Sequence, residues 1–363
     1  MAEEGSNQIL AYIGTFANDP QKGIYLLGVD PRTGELEPRG HVPGLASPFF
    51  LALDPLGRCL YAAEAAGDDD GQRDGEIAAY AVDPAGGGLT LLNRQPSCGR
   101  LPCYVSIHPS GRWLLAGNYM SGSVALLPIA ADGRLGAATD VAQHAGSGPN
   151  AERQEGPHVH CAVQDPSGRF AYAADLGIDR LMIYRIDAER GKLSPADPPW
   201  VQTRPGAGPR HFACHPDGRH AYLINELDST LVAYACDGAS GRLTEVQTVS
   251  ALPAGYSGES FCADVQVHPS GRFLYGTNRG HDSVVVFAVD ASSGQLSLIG
   301  HESTQGQYPW NLGLLPDGSL LLVANHGGDS VVSFRVDRLS GRLRPTGHRA
   351  LVPKAVCVRL ATR

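Results

Sequence analysis

Nowhere in this chain do apolar residues run on for the roughly 18 positions that a membrane-crossing helix needs, so nothing in the sequence supports a membrane role. Basic residues are in the minority too. Lys and Arg number 29 against 37 Asp and Glu, for a formal net charge of −8, which argues against a general nucleic-acid binder. An anionic small substrate stays open, because a few arginines focused in one cleft outweigh a distant negative surface. CxxC spacing is absent. The eight cysteines, Cys59, Cys98, Cys103, Cys161, Cys214, Cys236, Cys262 and Cys357, are scattered, several within apolar strand-like text, and read as buried thiols rather than metal ligands. The opening MAEEGSNQIL carries acid where a secretory leader carries positive charge, and no apolar core follows, so the expected location is cytoplasmic.

What the chain has in quantity is glycine, 45 residues, and proline, 26, which implies many turns and little long helix. Length alone, 363 residues, would suggest two or three domains. Internal repetition replaces that expectation. A P-x-G turn followed by an apolar strand recurs as DPLGR, HPSGR, DPSGR, HPDGR, HPSGR and LPDGS, with prolines Pro55, Pro109, Pro166, Pro216, Pro269 and Pro316 spaced by 54, 57, 50, 53 and 47 residues. Each copy reads as strand, P-x-G turn, strand, polar turn, strand, turn and strand, which describes one four-stranded antiparallel propeller blade. Residues 11–36 match only the second and third strands, and the tail KAVCVRLATR matches an isolated first strand. Joined, these ends make a seventh blade. The fold expected is therefore all-β: one seven-bladed β-propeller over residues 1–363, closed by pairing of the C-terminal strand with N-terminal strands, which removes exposed sheet edges.

Antiparallel geometry puts the start of each first strand and the end of each second strand on the same face, opposite the P-x-G turns. The second strands end on Thr15, Glu64, Asn118, Asp175, Asn225, Asn278 and Asn325, mostly short polar residues expected to fix turns. In the next column, Phe16, Ala65, Tyr119, Leu176, Glu226, Arg279 and His326, the repeat stops agreeing with itself. The first strands begin on His158 and His160 of GPHVH, Arg210 and His211 of GPRH, Asp264 of CADV, and Trp310 and Asn311 of YPWN, all aimed at that rim. Two histidines, two arginines and a glutamate on one rim suit chemistry on an oxyanion. The acidic run Asp68, Asp69 and Asp70 lacks the spaced ligands of a calcium loop and reads as a solvated excursion.

GPNAERQEGPHVH, ADLGIDR, GPRHFACHPDGRHAYLINEL and YGTNRGHDSV resemble the seven-bladed propeller lactonase family, which includes bacterial 6-phosphogluconolactonases and fungal carboxy-cis,cis-muconate cyclase. The resemblance runs along essentially the whole chain. It implies a catalytic set on His160 or His158, Arg210, Glu226 and Arg279, and substrate contact by Arg153 and Gln154; their place on the same rim makes His211, Asp264, Trp310 and His326 further contact candidates. Where many members read PRN, this chain reads PWN at Pro309, Trp310 and Asn311, which removes a possible phosphate ligand and offers an apolar face to a ring.

The activity implied is hydrolysis of 6-phosphogluconolactone, or else lactone chemistry on another sugar or muconate-type acid. A non-catalytic binding platform is the reading from a different class. In the hydrolase, His160, with His158 in reserve, takes the proton of water; Glu226 orients the imidazole or is itself the base; Arg210 and Arg279 stabilise the oxyanion. The partner expected is a small anionic lactone, with no nucleic acid, membrane, metal or cofactor. No oligomeric state follows from the sequence.

Overall fold

The computed structural model describes residues 9–16, 23–43, 47–65 and 73–361. Asp68, Asp69 and Asp70 lie outside them. Seven sheets of four antiparallel strands are present, each with its strands in consecutive order apart from the one that joins the two ends of the chain. Counting from the first complete copy, blade one is Pro48–Leu53, Cys59–Glu64, Asp74–Val82 and Leu89–Arg100. Blades two to six begin at Pro102, Val159, Pro209, Phe261 and Pro309. Blade seven takes its first strand, Ala355–Ala361, from the C-terminus and its other three, Ile9–Thr15, Ile24–Val29 and Leu36–Val42, from the N-terminus.

The first strands pack against one another round the ring, and Ala355–Ala361 touches both blade six and blade one, so the circle is complete. The inner strands alternate Ala, Gly and β-branched residues with aromatics, which lets two sheets approach closely while large rings fill the wedge between them. In five blades a tyrosine in the second strand also reaches across to a glycine carbonyl of the following blade: Tyr12 to Gly87, Tyr61 to Gly133, Tyr172 to Gly241, Tyr222 to Gly294 and Tyr275 to Gly341. Each hydroxyl is thereby satisfied inside an apolar seam where an unpaired one would cost free energy.

The polar residues that end the second strands serve their own blades. Asn118 Nδ2 donates to the Ser97 carbonyl and to Ser123 Oγ, and Asn278 repeats this with Ala251 and Ser283. Asp175 accepts from the His158 and Gly177 backbone N–H groups and from His144 Nδ1 at 2.6 Å. These contacts pin the turn that follows, and with it the residue one position further on.

A second device aims side chains at the same face. Every first strand carries a β-bulge near its start. In blade three Val159 pairs with Asp175 and Cys161 with Ala174, leaving His160 as the extra residue. The same slip isolates Arg210 in blade four, Trp310 in blade six, Phe49 in blade one and Cys103 in blade two. A bulge frees one residue from the ladder and re-aims its side chain, and here it does so at the rim of the central channel.

Candidate active site

The bulge column and the column after the second strands meet on Glu226, at the end of the second strand of blade four. Its side chain is 4% exposed. Oε2 lies 2.8 Å from Arg210 Nε and 2.8 Å from Arg279 Nη2, and Oε1 lies 2.6 Å from Arg153 Nη2. His160 Nε2 stands 3.9 Å from Oε2. Blades three, four and five, and the loop before blade three, thus each contribute one group to a single buried carboxylate.

Three guanidinium groups around one carboxylate leave an excess of positive charge, held in a low-dielectric setting where it acts strongly on an incoming anion. Burial alone would raise the Glu226 pKa, but Arg279 and Arg210, with His160 and Arg153, hold its carboxyl far below the usual carboxylate range. Burial, reinforced by Arg210, pushes the His160 imidazole well below its ordinary value, so it is neutral at pH 7. Burial and the neighbouring Arg279 bring Arg210 down to about 10, still a cation at neutral pH.

Arg210 is fully buried, and its donors are almost all spent. Nε serves Glu226, while Nη1 reaches the Ala263 carbonyl and His211 Nε2 at 3.2 Å. Nη2 has no partner among the described residues. A buried, unpaired guanidinium N–H is expensive unless something else is meant to accept from it. Trp310 Nε1 is likewise buried and unpaired. The Trp310 ring lies 4.8 Å from the Arg279 guanidinium carbon and 5.7 Å from that of Arg210, a cation–π roof over both arginines. Phe16, Phe49 and His326 pack against Trp310 at ring separations of 6.4, 5.8 and 5.0 Å. One side of the site is therefore charged and the other aromatic, an arrangement fitted to a ring that carries oxygen atoms on one edge.

The expected site residues do not all occupy equivalent places. His158 is not at the carboxylate: its ring stacks on Tyr119 at 4.5 Å, Nδ1 meets the Tyr119 carbonyl and Nε2 meets Glu155 at 3.0 Å. It precedes the bulge, whereas His160 is the bulge. Gln154, expected at the substrate, instead has both ends of its fully buried amide occupied, Nε2 on Leu176 O and Asp179 Oδ1 of the turn after the second strand of blade three and Oε1 on the Asn150 N–H of its own loop. Arg153 beside it does reach the site. His211 and Asp264, also expected at the substrate, sit one layer deeper. Asp264 Oδ1 binds His211 Nδ1 at 2.7 Å and Oδ2 binds Asn311 Nδ2 at 2.7 Å, while His211 Nε2 receives Arg210 Nη1. Burial and Arg210 bring His211 down to about 4, so its neutral ring donates to Asp264 and accepts from Arg210, fixing the guanidinium. Tyr308, which the sequence did not single out, faces Arg279 at 5.3 Å and completes the roof with Trp310. Its position immediately before the PWN stretch was the available signal.

The Lactonase, 7-bladed beta-propeller family model matches residues 10–360. A 6-phosphogluconolactonase of Bacillus subtilis is 38% identical over 304 residues, 83% of each chain, and one of Formosa agariphila is 31% identical over 310 residues, 84% of this chain and 85% of its own. Among solved structures, the periplasmic gluconolactonase of Pseudomonas aeruginosa superposes with a TM-score of 0.91 at 32% identity, covering 98% of this chain and 100% of its own.

Proposed function

The chain belongs to the seven-bladed β-propeller lactonases, and from that premise we propose that it hydrolyses 6-phosphoglucono-1,5-lactone to 6-phosphogluconate. The observation that carries the reading is the convergence of His160, Arg210 and Arg279 on the buried Glu226 beside an aromatic wall.

Opening a lactone needs a base for water, a counter-charge for the carbonyl oxygen and a place for the ring. His160 is the base in this scheme. Its ring is neutral at operating pH, and Glu226 at 3.9 Å stabilises the imidazolium that forms when it takes the water proton. Glu226 itself is a poor base, because its lone pairs are committed to three arginines. The unpaired Nη2 of Arg210 is the donor for the developing oxyanion, with Arg279 alongside. As the tetrahedral intermediate collapses, the ring oxygen leaves and recovers a proton from His160, so the base is restored. The sugar ring lies on Trp310, and Arg153, whose side chain is 36% exposed, meets the charged end at the mouth.

Trp310, where the family resemblance implies an arginine, favours a second reading, an unphosphorylated aldonolactone as the substrate. A cytoplasmic location belongs to the first reading and is supported by eight cysteines, none of them in a disulfide.

The deciding experiment follows acid release from freshly generated 6-phosphogluconolactone, above the uncatalysed rate, for the natural protein and for Arg279→Ala. Strong catalysis that falls by about 10²- to 10³-fold in the variant supports reaction and site together. Background rates with the phosphorylated lactone but turnover of glucono-1,5-lactone select the second reading. A folded protein inactive on every lactone reduces it to a binding platform.

A further inference from the structure

Three of the P-x-G turns begin with histidine, and all three imidazoles bridge to the next blade in the same way. His108 Nε2 meets the Gly168 carbonyl at 2.8 Å, His215 Nε2 meets that of Gly271 at 2.8 Å, and His268 Nε2 meets that of Gly318 at 3.1 Å. A carbonyl only accepts, so each Nε2 carries the hydrogen and each Nδ1 presents a lone pair. In blades two and five a serine hydroxyl answers that lone pair: Ser110 Oγ lies 2.8 Å from His108 Nδ1, and Ser270 Oγ 2.8 Å from His268 Nδ1.

Blade four breaks the pattern twice in one turn. Asp217 stands where the serine should be, with Oδ1 2.9 Å from His215 Nδ1, and His220 replaces the Trp113 or Phe273 of the sibling turns, with Nδ1 2.9 Å from Asp217 Oδ2. His215 Nδ1 accepts from the Asp217 backbone N–H at 3.2 Å, as the sibling rings accept from the Ser110 and Ser270 N–H groups, but where a hydroxyl also meets those rings it meets a carboxylate oxygen. Three side chains able to donate lone pairs thus converge in one turn, where the sibling turns bring a single histidine and a hydroxyl together.

We propose that His215, Asp217 and His220 form a divalent-metal site, with zinc the fitting ion. Two imidazole nitrogens and one carboxylate oxygen, all within 4.8 Å of one another, are a borderline donor set of the kind zinc takes, with a fourth position left to water. The histidine side chains are 8% and 7% exposed and Asp217 is 20% exposed, so the donors are held by packing while the carboxylate opens to solvent. Arg219 also reaches Asp217 Oδ2, at 3.4 Å, but its side chain is 67% exposed and free to swing away. The Gly271 carbonyl fixes the His215 ring from behind, the outer contact that metal-bound imidazoles generally have. This turn lies on the face opposite Glu226, so the ion has no part in lactone opening; it would fix the His215 ring that reaches across to the Gly271 carbonyl of blade five.

The test uses full-length protein without an affinity tag, titrated with zinc chloride alone by calorimetry against a competing chelator. Its partner is the double variant Asp217→Ser with His220→Phe, which writes the blade-five turn HPSGRF into blade four and so keeps a turn the fold already accepts. The natural protein is expected to take up one zinc ion per chain and to gain in Tm with zinc, while the double variant loses that gain and binds about 100-fold more weakly or not at all. Asp217→Asn, which keeps the shape, should weaken binding in the same direction. No uptake by the natural protein would overturn the proposal. Uptake that the double variant retains would overturn it as well, placing the ion elsewhere. Lactone turnover is expected to be equal in natural and variant proteins, so failure here is separate from failure of the lactonase reading.

Discussion

Glu226 Oε2 meets Arg210 Nε at 2.8 Å where the arginine side chain has no exposure and the glutamate has 4%. A pair so buried is costly to break, because the survivor is left charged without a partner. Glu226→Gln leaves Arg153, Arg210 and Arg279 facing one another with no anion among them. The expected outcome is a loss of stability of about 3–5 kcal/mol in urea unfolding, together with loss of lactone turnover. Arg153→Ala, which removes only the partly exposed partner, should cost roughly 1 kcal/mol or less by the same measurement.

The two histidines of PHVH should separate cleanly. His160→Gln removes the base and is expected to lower kcat by about 10²- to 10⁴-fold with the fold intact. His158→Gln gives up contacts to Tyr119 and Glu155, so it should show as a lower Tm while most of the turnover survives. Equal loss of kcat in both variants would remove the special role of the bulged residue.

Those two residues also mark how far the sequence could be read. The P-x-G spacing disclosed the blades and the closure, because turn chemistry at Pro and Gly is local and repeats with the structure. The disagreement at Glu226, Arg279 and His326 pointed to the face of the site. What spacing could not convey was the bulge. Register is a relation between two strands, so nothing within GPHVH says that Val159 and Cys161 pair and His160 does not. The same limit put Gln154, His211 and Asp264 at the substrate: their residue types suit contact, but only packing reveals that their polar atoms are already taken.

Acidification should weaken the fold before it protonates the site carboxylate. His211 and His326 are brought to about 4, and His160 is lowered in the same direction. The unfolded chain binds protons at these residues below about 6.5, where the folded one does not. Stability is therefore complete above about pH 6.5 and declines as pH falls from there toward 4, with Glu226 adding to the decline at lower pH still. Tm measured between pH 7.5 and 5 should drop. kcat/KM should hold level below 6.5, since His160 remains a neutral base past the point where a free imidazole would be half protonated. An acid limb centred at 6.5 with Tm unchanged would contradict both.

Ring closure makes a prediction about the last strand. Ala355–Ala361 pairs with Ile9–Thr15 and is the channel-lining strand of blade seven. Ending the chain at Val352 would expose the ladder edge of Ile9–Thr15 and the flanks of blades one and six. The shortened protein is expected to aggregate or to lose cooperative unfolding, read by light scattering and by the denaturant slope.

Trp310 is where substrate choice should be adjustable. Its ring caps Arg279 at 4.8 Å and Arg210 at 5.7 Å, and its indole N–H has no partner among the described residues. Trp310→Arg exchanges an apolar roof for a further cation beside two that share one carboxylate. In the free protein that cation is repelled, so Tm should fall. A phosphate on the substrate would relieve the repulsion through charge-assisted hydrogen bonds, each worth about 1.5–3 kcal/mol, while an uncharged aldonolactone would only lose its stacking surface. The ratio of kcat/KM for 6-phosphogluconolactone over glucono-1,5-lactone should therefore rise by about 10-fold or more, since about 1.4 kcal/mol is a factor of ten. The split between parameters is informative as well: the phosphate contact forms in ground and transition states alike, so the change belongs mainly in KM. An unaltered ratio would mean that the indole faces the arginines but not the substrate, and that selectivity resides with Arg153 at the mouth.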